Sequence, residues 1–459
     1  MSEIYISNGR IITGTEDFRG NLLIRDGTIA EISAGKIQIS THAKTIDATD
    51  RYILPGFIDP HVHMELPTAA GNSADDFRTG SLAALYGGTT TILDFVTPLQ
   101  GQSLIEALHE RKALAAGSLI DHSLHVSPLN GNPATIREIE KCIYNEGITS
   151  FKAYMAYRKT IGIGDHTLAA IMDILGKSGG LLMLHCENDG LIRYLQEKFI
   201  SGGKTGPEYH ALSRPPAAEA EAIGRAINFS RQFGCTVYIV HVSTAEGAGL
   251  IARGREAGLR IYGETCPQYL LLDRSRYEAP FDEAAAFVMS PPLREKHDRE
   301  RLWKALSEET LQTTATDHCS FNKSQKASGR EDFTRIPNGA GGVEFRPSLL
   351  FSYGVLPGRI SLQQWIKLLS ANAARIFGLT SKGDLKAGMD ADVVIWNPET
   401  TGIINRESQL QNCDQNIYEG TKIIGSAETV IAGGKIRVEN GKVTDAETTG
   451  RFLRREHRV

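Results

Sequence analysis

Through residues 53–380 the apolar positions follow two alternating patterns. Short continuous runs predict buried parallel strands, and the stretches between them, apolar at every third or fourth position, predict amphipathic helices. Strands are predicted at 53–59, 89–95, 121–127, 149–155, 181–186, 237–243, 259–265 and 312–317. Helices are predicted at 76–86, 102–116, 133–146, 166–178, 217–233, 245–257 and 298–308. Strands alternating with helices in this number favour a closed (β/α)8 barrel over an open doubly wound sheet. The segment 268–311 exceeds a simple crossover and predicts an extra loop.

Both chain ends read differently. Asn8-Gly9 and Asp26-Gly27 are hairpin pairs flanked by β-branched and apolar residues. Residues 390–397, 427–432 and 435–444 again read strand, turn, strand, with Gly433-Gly434 at one turn. The expected architecture is α/β: a (β/α)8 TIM barrel over 53–380, and a small β-sandwich domain from 1–52 plus 381–445. Residues 446–459 form a C-terminal arm.

Composition narrows the function classes. The 459 residues are 41% hydrophobic and 23% charged, as in ordinary globular proteins. A net charge of −4 gives no overall basic field for nucleic acid or anionic lipid. The basic tail from Arg451 to Arg458 reads as a solvated or subunit-contacting arm. No run of roughly 18 apolar residues is available to span a bilayer. The opening MSEIYISNGRII carries an early acid and no long apolar core, unlike a secretory signal. Six cysteines without a C-x-x-C pair suggest reduced thiols and a cytoplasmic setting. Cys186 and Cys319 read as small packing residues rather than as ligands or nucleophiles.

The polar residues that end the apolar runs carry the chemistry. His61 and His63 close ILPGFIDPHVH, and side chains two apart in an extended chain share a face. Lys152, His185, His241 and Asp317 each sit at the polar end of another predicted strand. Barrel enzymes place their chemistry at the C-terminal strand ends. Taken singly, each residue has a plain reading as a polar pair, an isolated buried histidine or a helix cap. Taken together, they suggest a metal centre. Lys152 is the odd member, because a protonated lysine cannot bind a cation. From spacing alone it reads as a buried, salt-bridged lysine.

Several unlinked motifs then occur in one order: GFIDPHVHMELP, SADDFRTG, GGTTTILDF, SFKAYMAY, LLMLHCEND, YHALSRP, IVHVSTAEG, GETCPQYL, VMSPPLR, ATDHC and IPNGAGGVE. Through them the chain resembles the dihydropyrimidinase and hydantoinase group of the amidohydrolase superfamily over nearly its whole length. The resemblance implies that Lys152 is modified by carbon dioxide to a carbamate (N6-carboxylysine). It implies two divalent metal ions, one held by His61, His63 and Asp317 and the other by His185 and His241, with the carbamate between. Zinc suits these ligands, and manganese or another divalent ion is compatible with them. It further implies that Tyr157 binds the carbonyl oxygen, that Asp317 shuttles the proton, and that Ser290 and Asn338 bind the amide groups of a ring. Family members commonly form homotetramers.

The implied reaction is hydrolytic opening of cyclic amides, giving N-carbamoyl amino acids. Dihydroorotase-like relatives place an arginine two residues after the second histidine, where this chain has Glu65. That carboxylate argues against an acidic ring. Met64, Leu66, Pro67, Tyr154 and Tyr157 could form an apolar rim, which favours 5-substituted hydantoins. Dihydrouracil and dihydrothymine come next, then allantoin. A non-catalytic scaffold relative would have lost ligands, and every expected ligand is present. The Gly-rich stretch 338–342 lacks G-x-G-x-x-G spacing and reads as a loop, and Gly176-Lys177-Ser178 lacks the first glycine of a P-loop.

Overall fold

The computed structural model describes residues 2–456. Eight parallel strands form one sheet: β1 (Phe57–Val62), β2 (Thr89–Val96), β3 (Asp121–Val126), β4 (Ser150–Tyr154), β5 (Leu181–His185), β6 (Thr236–Ile239), β7 (Ile261–Thr265) and β8 (Thr313–Thr314). They lie in chain order, and a parallel bridge from Val62 to His318 closes the ring. The His63 N–H donates to the His318 carbonyl at 2.7 Å at the same seam. This is the expected TIM barrel.

The helices form where the periodicity places them, and local chemistry sets their ends. Helix Pro133–Tyr144 starts at Asn132, whose side chain accepts from the Ala134 and Thr135 N–H groups, with proline at the first turn. It buries Thr135, Ile139, Cys142 and Ile143, one stripe at helical spacing. The long segment before helix Lys296–Ser307 does carry extra structure, beginning with the short helix Pro267–Leu271.

The predicted strand at 53–59 is in fact two. Tyr52–Pro55 joins the terminal sheet, where Ile53 pairs with Ile395, and the barrel begins only at Phe57. Gly56 marks the break. A Cβ there would lie 2.2 Å from Thr90 Oγ1, so only glycine lets the chain pass so close to β2.

The terminal sheet has nine strands drawn from both chain ends. It curls on itself: a Cβ on Gly434 would meet the Gly27 Cα at 2.4 Å, and the two turns touch. Its inner face holds its own apolar core, including Ile6, Leu22, Ile53, Val393 and Ile431. A second contact joins this sheet to the barrel. Phe57, Phe351, Trp365 and Trp396 are all buried, with ring centroids 5.1–6.1 Å apart.

The described part of the C-terminal arm is anchored to the barrel although Arg451, Arg454 and Glu456 stay exposed. Phe452 bridges to His122 on β3, and Arg455 is buried, donating to the Leu124 carbonyl and the Ser150 hydroxyl. Its guanidinium finds acceptors among the barrel strands near their N-terminal ends. Arg458 lies outside the described residues.

Two buried acids help tie the loop at 405–420 to the barrel: Asp75, which accepts from the Asn412 N–H at 2.8 Å, and Glu344. Glu344 accepts from the Leu410 N–H at 2.8 Å and the Gln411 N–H at 3.3 Å. Burial pushes its carboxyl up to about 8. A raised folded-state pKa stabilises the fold below the unfolded value of 4.5, and that contribution is lost as pH climbs through about 8. Glu344→Gln keeps an acceptor and removes the titration. Its melting temperature is expected to gain on the parent protein between pH 5 and pH 8.5. A difference that stays constant over that range would refute the buried acid.

Candidate metal centre

The mouth at the C-terminal strand ends gathers the predicted donors. His61 lies near the end of β1 with His63 just beyond it, Lys152 lies within β4, and His185 ends β5. His241 and Asp317 follow β6 and β8 with φ of 39° and 52°. Non-glycine residues rarely hold such left-handed backbone, and strain of this kind clusters at functional sites. Tyr157 shares it, with φ 63°.

Two groups of donors form. His61 Nε2 and His63 Nε2 lie 3.2 Å apart, and Asp317 Oδ1 is 3.0 Å and 3.1 Å from them. His185 Nδ1 lies 3.1 Å from His241 Nε2. The groups meet, because donor atoms of His61, His241 and Asp317 all lie within 4.8 Å of one another. Lys152 sits among them, its Nζ 4.9 Å from the Phe95 ring centre and 5.1 Å from that of Tyr154.

The electrostatics suit an arriving cation. Burial raises the Asp317 carboxyl, but His61 and His63 outweigh it and hold the group well below the usual carboxylate range. Burial drives His241 well down and lowers His63 and His185, leaving those imidazoles neutral, whereas at His61 the carboxylates of Glu264 and Asp317 outweigh burial and raise the pKa. Burial likewise brings Lys152 down to about 8. Lys152 is 1% exposed and has no ion pair among the described residues, so the salt-bridged lysine read from spacing is not what forms. His241 Nδ1 is buried with no hydrogen-bond partner among the described residues. Imidazoles and a carboxylate make a donor set that fits divalent metal.

Behind the donors stand groups the sequence did not single out. Glu264 on β7 accepts from His61 Nδ1 at 2.8 Å, the Tyr238 hydroxyl at 2.7 Å and the His241 N–H at 3.1 Å. Glu187 faces His185 Nε2 at 2.8 Å and pairs with Arg214. Arg214 lies 5.2 Å over the Tyr157 ring. Asp59 accepts from the Thr316 hydroxyl at 2.7 Å, bracing the turn before Asp317. A signal for Glu264 was available: it is the acid near the end of β7, a barrel strand given no polar tip residue. Glu187 lies two residues beyond His185.

Tyr157 is partly buried, and burial raises its pKa, so the hydroxyl keeps its proton. Ser290 and Asn338 lie beside it and oppose that shift. Ser290 Oγ and Asn338 Oδ1 are buried without a partner among the described residues. Met64 does not join a rim: it is fully buried against helix Phe77–Tyr86, where a Cβ on Gly80 would meet its sulfur at 2.2 Å. Leu66 is partly exposed and Pro67 exposed. Cys186 and Cys319 are buried thiols whose pKa burial raises, consistent with packing. Among the described residues, no helix is long and apolar enough to cross a membrane.

A closed parallel barrel with histidines and an aspartate converging at its C-terminal mouth defines a metal-dependent barrel enzyme. The chain belongs to the amidohydrolase family, whose model matches residues 52–437, and within it to the hydantoinase and dihydropyrimidinase group. It is 42% identical to a D-hydantoinase of Geobacillus stearothermophilus, over 98% of this chain and 96% of that one. It is 39% identical to a dihydropyrimidinase of Dictyostelium discoideum, over 98% and 90%. The crystal structure of dihydropyrimidinase from Brevibacillus agri NCHU1002 superposes with a TM-score of 0.98 at 40% identity, over 100% of this chain and 99% of that one.

Glu264 can be tested apart from the donors it orients. Replacing it with glutamine removes a charge while keeping size, and outer-sphere partners of this kind typically contribute about 10- to 100-fold in metal affinity. Zinc titration followed by melting temperature is expected to give a weaker Kd of that order in Glu264→Gln. Unchanged affinity would reduce Glu264 to a packing role.

Proposed function

We propose that this enzyme opens cyclic amides and imides by hydrolysis, with 5-substituted hydantoins as first substrates and dihydrouracil and dihydrothymine as the alternative. The observation that carries the reading is the convergence of His61, His63, Lys152, His185, His241 and Asp317 on one mouth, beside two partnerless polar side chains. His61, His63 and Asp317 would hold one divalent ion, zinc by preference, and His185 with His241 a second. The Lys152 carbamate would offer an oxygen to each. Bound there, the ions make water nucleophilic near neutral pH and polarise the ring carbonyl.

The chain's own groups account for the rest. With a pKa of about 8, part of the Lys152 amine is unprotonated at neutral pH. That neutral amine can add to carbon dioxide: an N–C bond forms as one C=O π bond opens onto oxygen, the nitrogen loses one proton, and a neutral group becomes an anion. Asp317, held ionised, takes a proton from the attacking water and returns it to the ring nitrogen as the C–N bond breaks. Tyr157 keeps its hydroxyl proton and donates toward the carbonyl oxygen as negative charge develops there. Ser290 and Asn338 meet the ring's alternating N–H and C=O groups. Glu65, partly exposed after His63, disfavours a ring bearing a carboxylate. Leu66, Pro67, Tyr154 and Tyr157 remain as the apolar surroundings of a 5-substituent. The family resemblance supports a homotetramer.

The decisive assay compares kcat/KM for 5-phenylhydantoin, dihydrouracil, allantoin and dihydroorotate on zinc-loaded protein. The hydantoin is expected to lead and dihydroorotate to be the poorest. Turnover of dihydroorotate above the others would overturn the reading of Glu65. Lys152→Ala is expected to lose both metal and turnover, with partial rescue by a small carboxylate such as acetate. Full activity without such rescue would remove the carbamate from this account.

A further inference from the structure

Lys326 ends the short helix Lys323–Lys326 and is 2% exposed. Its ammonium donates to three backbone carbonyls, those of Val288 at 2.8 Å, Pro337 at 2.7 Å and Gly339 at 2.8 Å. These carbonyls belong to the two loops that carry Ser290 and Asn338. Pro337 and Gly339 flank Asn338 on either side, and Val288 lies two residues before Ser290. The Gly339 N–H also donates to the Val288 carbonyl at 3.0 Å, so the loops are joined directly. They press against the turn after Asp317: a Cβ on Gly339, at φ 144°, would lie 2.5 Å from the Cys319 carbonyl.

Burial brings the Lys326 amine down to about 7, yet three carbonyl acceptors at 2.7–2.8 Å are matched in full only by the three N–H bonds of the protonated form. Here all three N–H bonds are used, each on a backbone oxygen, and each on a loop facing the mouth. An apolar side chain would fill the same volume without that demand. What the cation adds is the relative placement of two loops.

We propose that Lys326 is a positioning residue for the substrate ring, fixing the Ser290 and Asn338 loops at the spacing that a ring's N–H and C=O groups require. This rests on the ring-opening reading above. Lys326 touches none of the six donors, so its loss acts on ring binding and leaves the metal in place.

The test uses full-length Lys326→Met, which has no donor, and Lys326→Gln, which keeps two N–H bonds. Both are loaded with zinc and assayed on 5-phenylhydantoin and dihydrouracil, with metal per chain measured alongside. KM is expected to rise by about tenfold or more in the methionine variant and by an intermediate amount in the glutamine variant. Loss in kcat should stay under about threefold, with metal content as in the parent protein. A lysine needed only for folding would lower the active fraction, so kcat would fall while KM stayed. That result, or KM within about twofold of the parent in both variants, overturns the proposal. Should the methionine protein prove insoluble, KM for the glutamine variant must rise at least about threefold, and a smaller change overturns it as well. A parent protein that opens neither ring defeats the ring-opening reading itself, and this inference with it.

Discussion

Two buried carboxylates decide which nitrogen each key histidine offers to the barrel mouth. Glu264 can only accept, so it takes the Nδ1 hydrogen of His61 and leaves Nε2 facing His63 and Asp317. Glu187 makes the opposite choice at His185: it takes Nε2 and leaves Nδ1 facing His241. A neutral imidazole has no strong preference of its own between the two forms. Each carboxylate is itself anchored, Glu264 by Tyr238 and the His241 backbone, Glu187 by Arg214. Because Glu264 grips the ring of His61 and the backbone of His241, the two donor groups cannot shift independently. Because Arg214 lies over Tyr157, the second group is also coupled to that tyrosine.

Charge follows from the same arrangement. Removing water from this mouth penalises every ion in it, yet Asp317 remains ionised and Lys152 approaches neutrality. The difference lies in their neighbours. Asp317 has imidazoles at 3.0 Å and 3.1 Å, whereas Lys152 faces aromatic rings and has no ion pair among the described residues. One fold thus holds an anion and a lysine brought down to about 8 within the same small volume. The anion suits a cation-binding centre, and the lowered pKa makes a fraction of neutral amine accessible for a carbon dioxide adduct.

The parts of the molecule legible in the sequence were those with a period or a repeated position. Parallel strands buried on both faces announce themselves as apolar runs, and the polar residue closing each run marked the mouth. Where one run served two sheets, periodicity had nothing to report: the apolar stretch through Tyr52 and Phe57 is continuous, and only the contact of Gly56 with Thr90 separates its halves. Met64 misled because hydrophobicity does not say which way a side chain turns; Gly80 leaves space for its sulfur on the core side. Arg455 looked like part of a solvated arm, since nothing nearby in sequence reveals that its acceptors, Leu124 and Ser150, wait some 300 residues earlier. Lys326, Glu264 and Glu187 were missed for a related reason. Lys326 holds backbone atoms, Glu264 holds residues of other strands and Glu187 pairs with Arg214. Although Glu264 near its strand end and Glu187 near His185 stood in suggestive places, the letters alone did not reveal these partners.

The terminal sheet has a consequence for the mouth that its distance conceals. Phe57 is clamped by Trp365 and Trp396 at the start of β1, and His61 lies four residues along the same strand. A strand rises about 3.3 Å per residue, so a slip of one residue at the clamp would move His61 by that length and turn it to the other face. Donor atoms held within 4.8 Å of one another cannot tolerate such a slip. Trp396 of the sheet and Trp365 of helix Leu362–Ile366 therefore act together as the stop that sets the register of the strand leading to His61 and His63. At the opposite end of the barrel, Lys326 does the equivalent for the loops over the mouth, using three hydrogen bonds instead of aromatic packing. Strand register fixes the donors to the frame, and on the proposed reading the loop clamp would fix the ring to them. Hydrolysis needs both, because attack is productive only when the ring carbonyl is held within a few tenths of an ångström of its proper place.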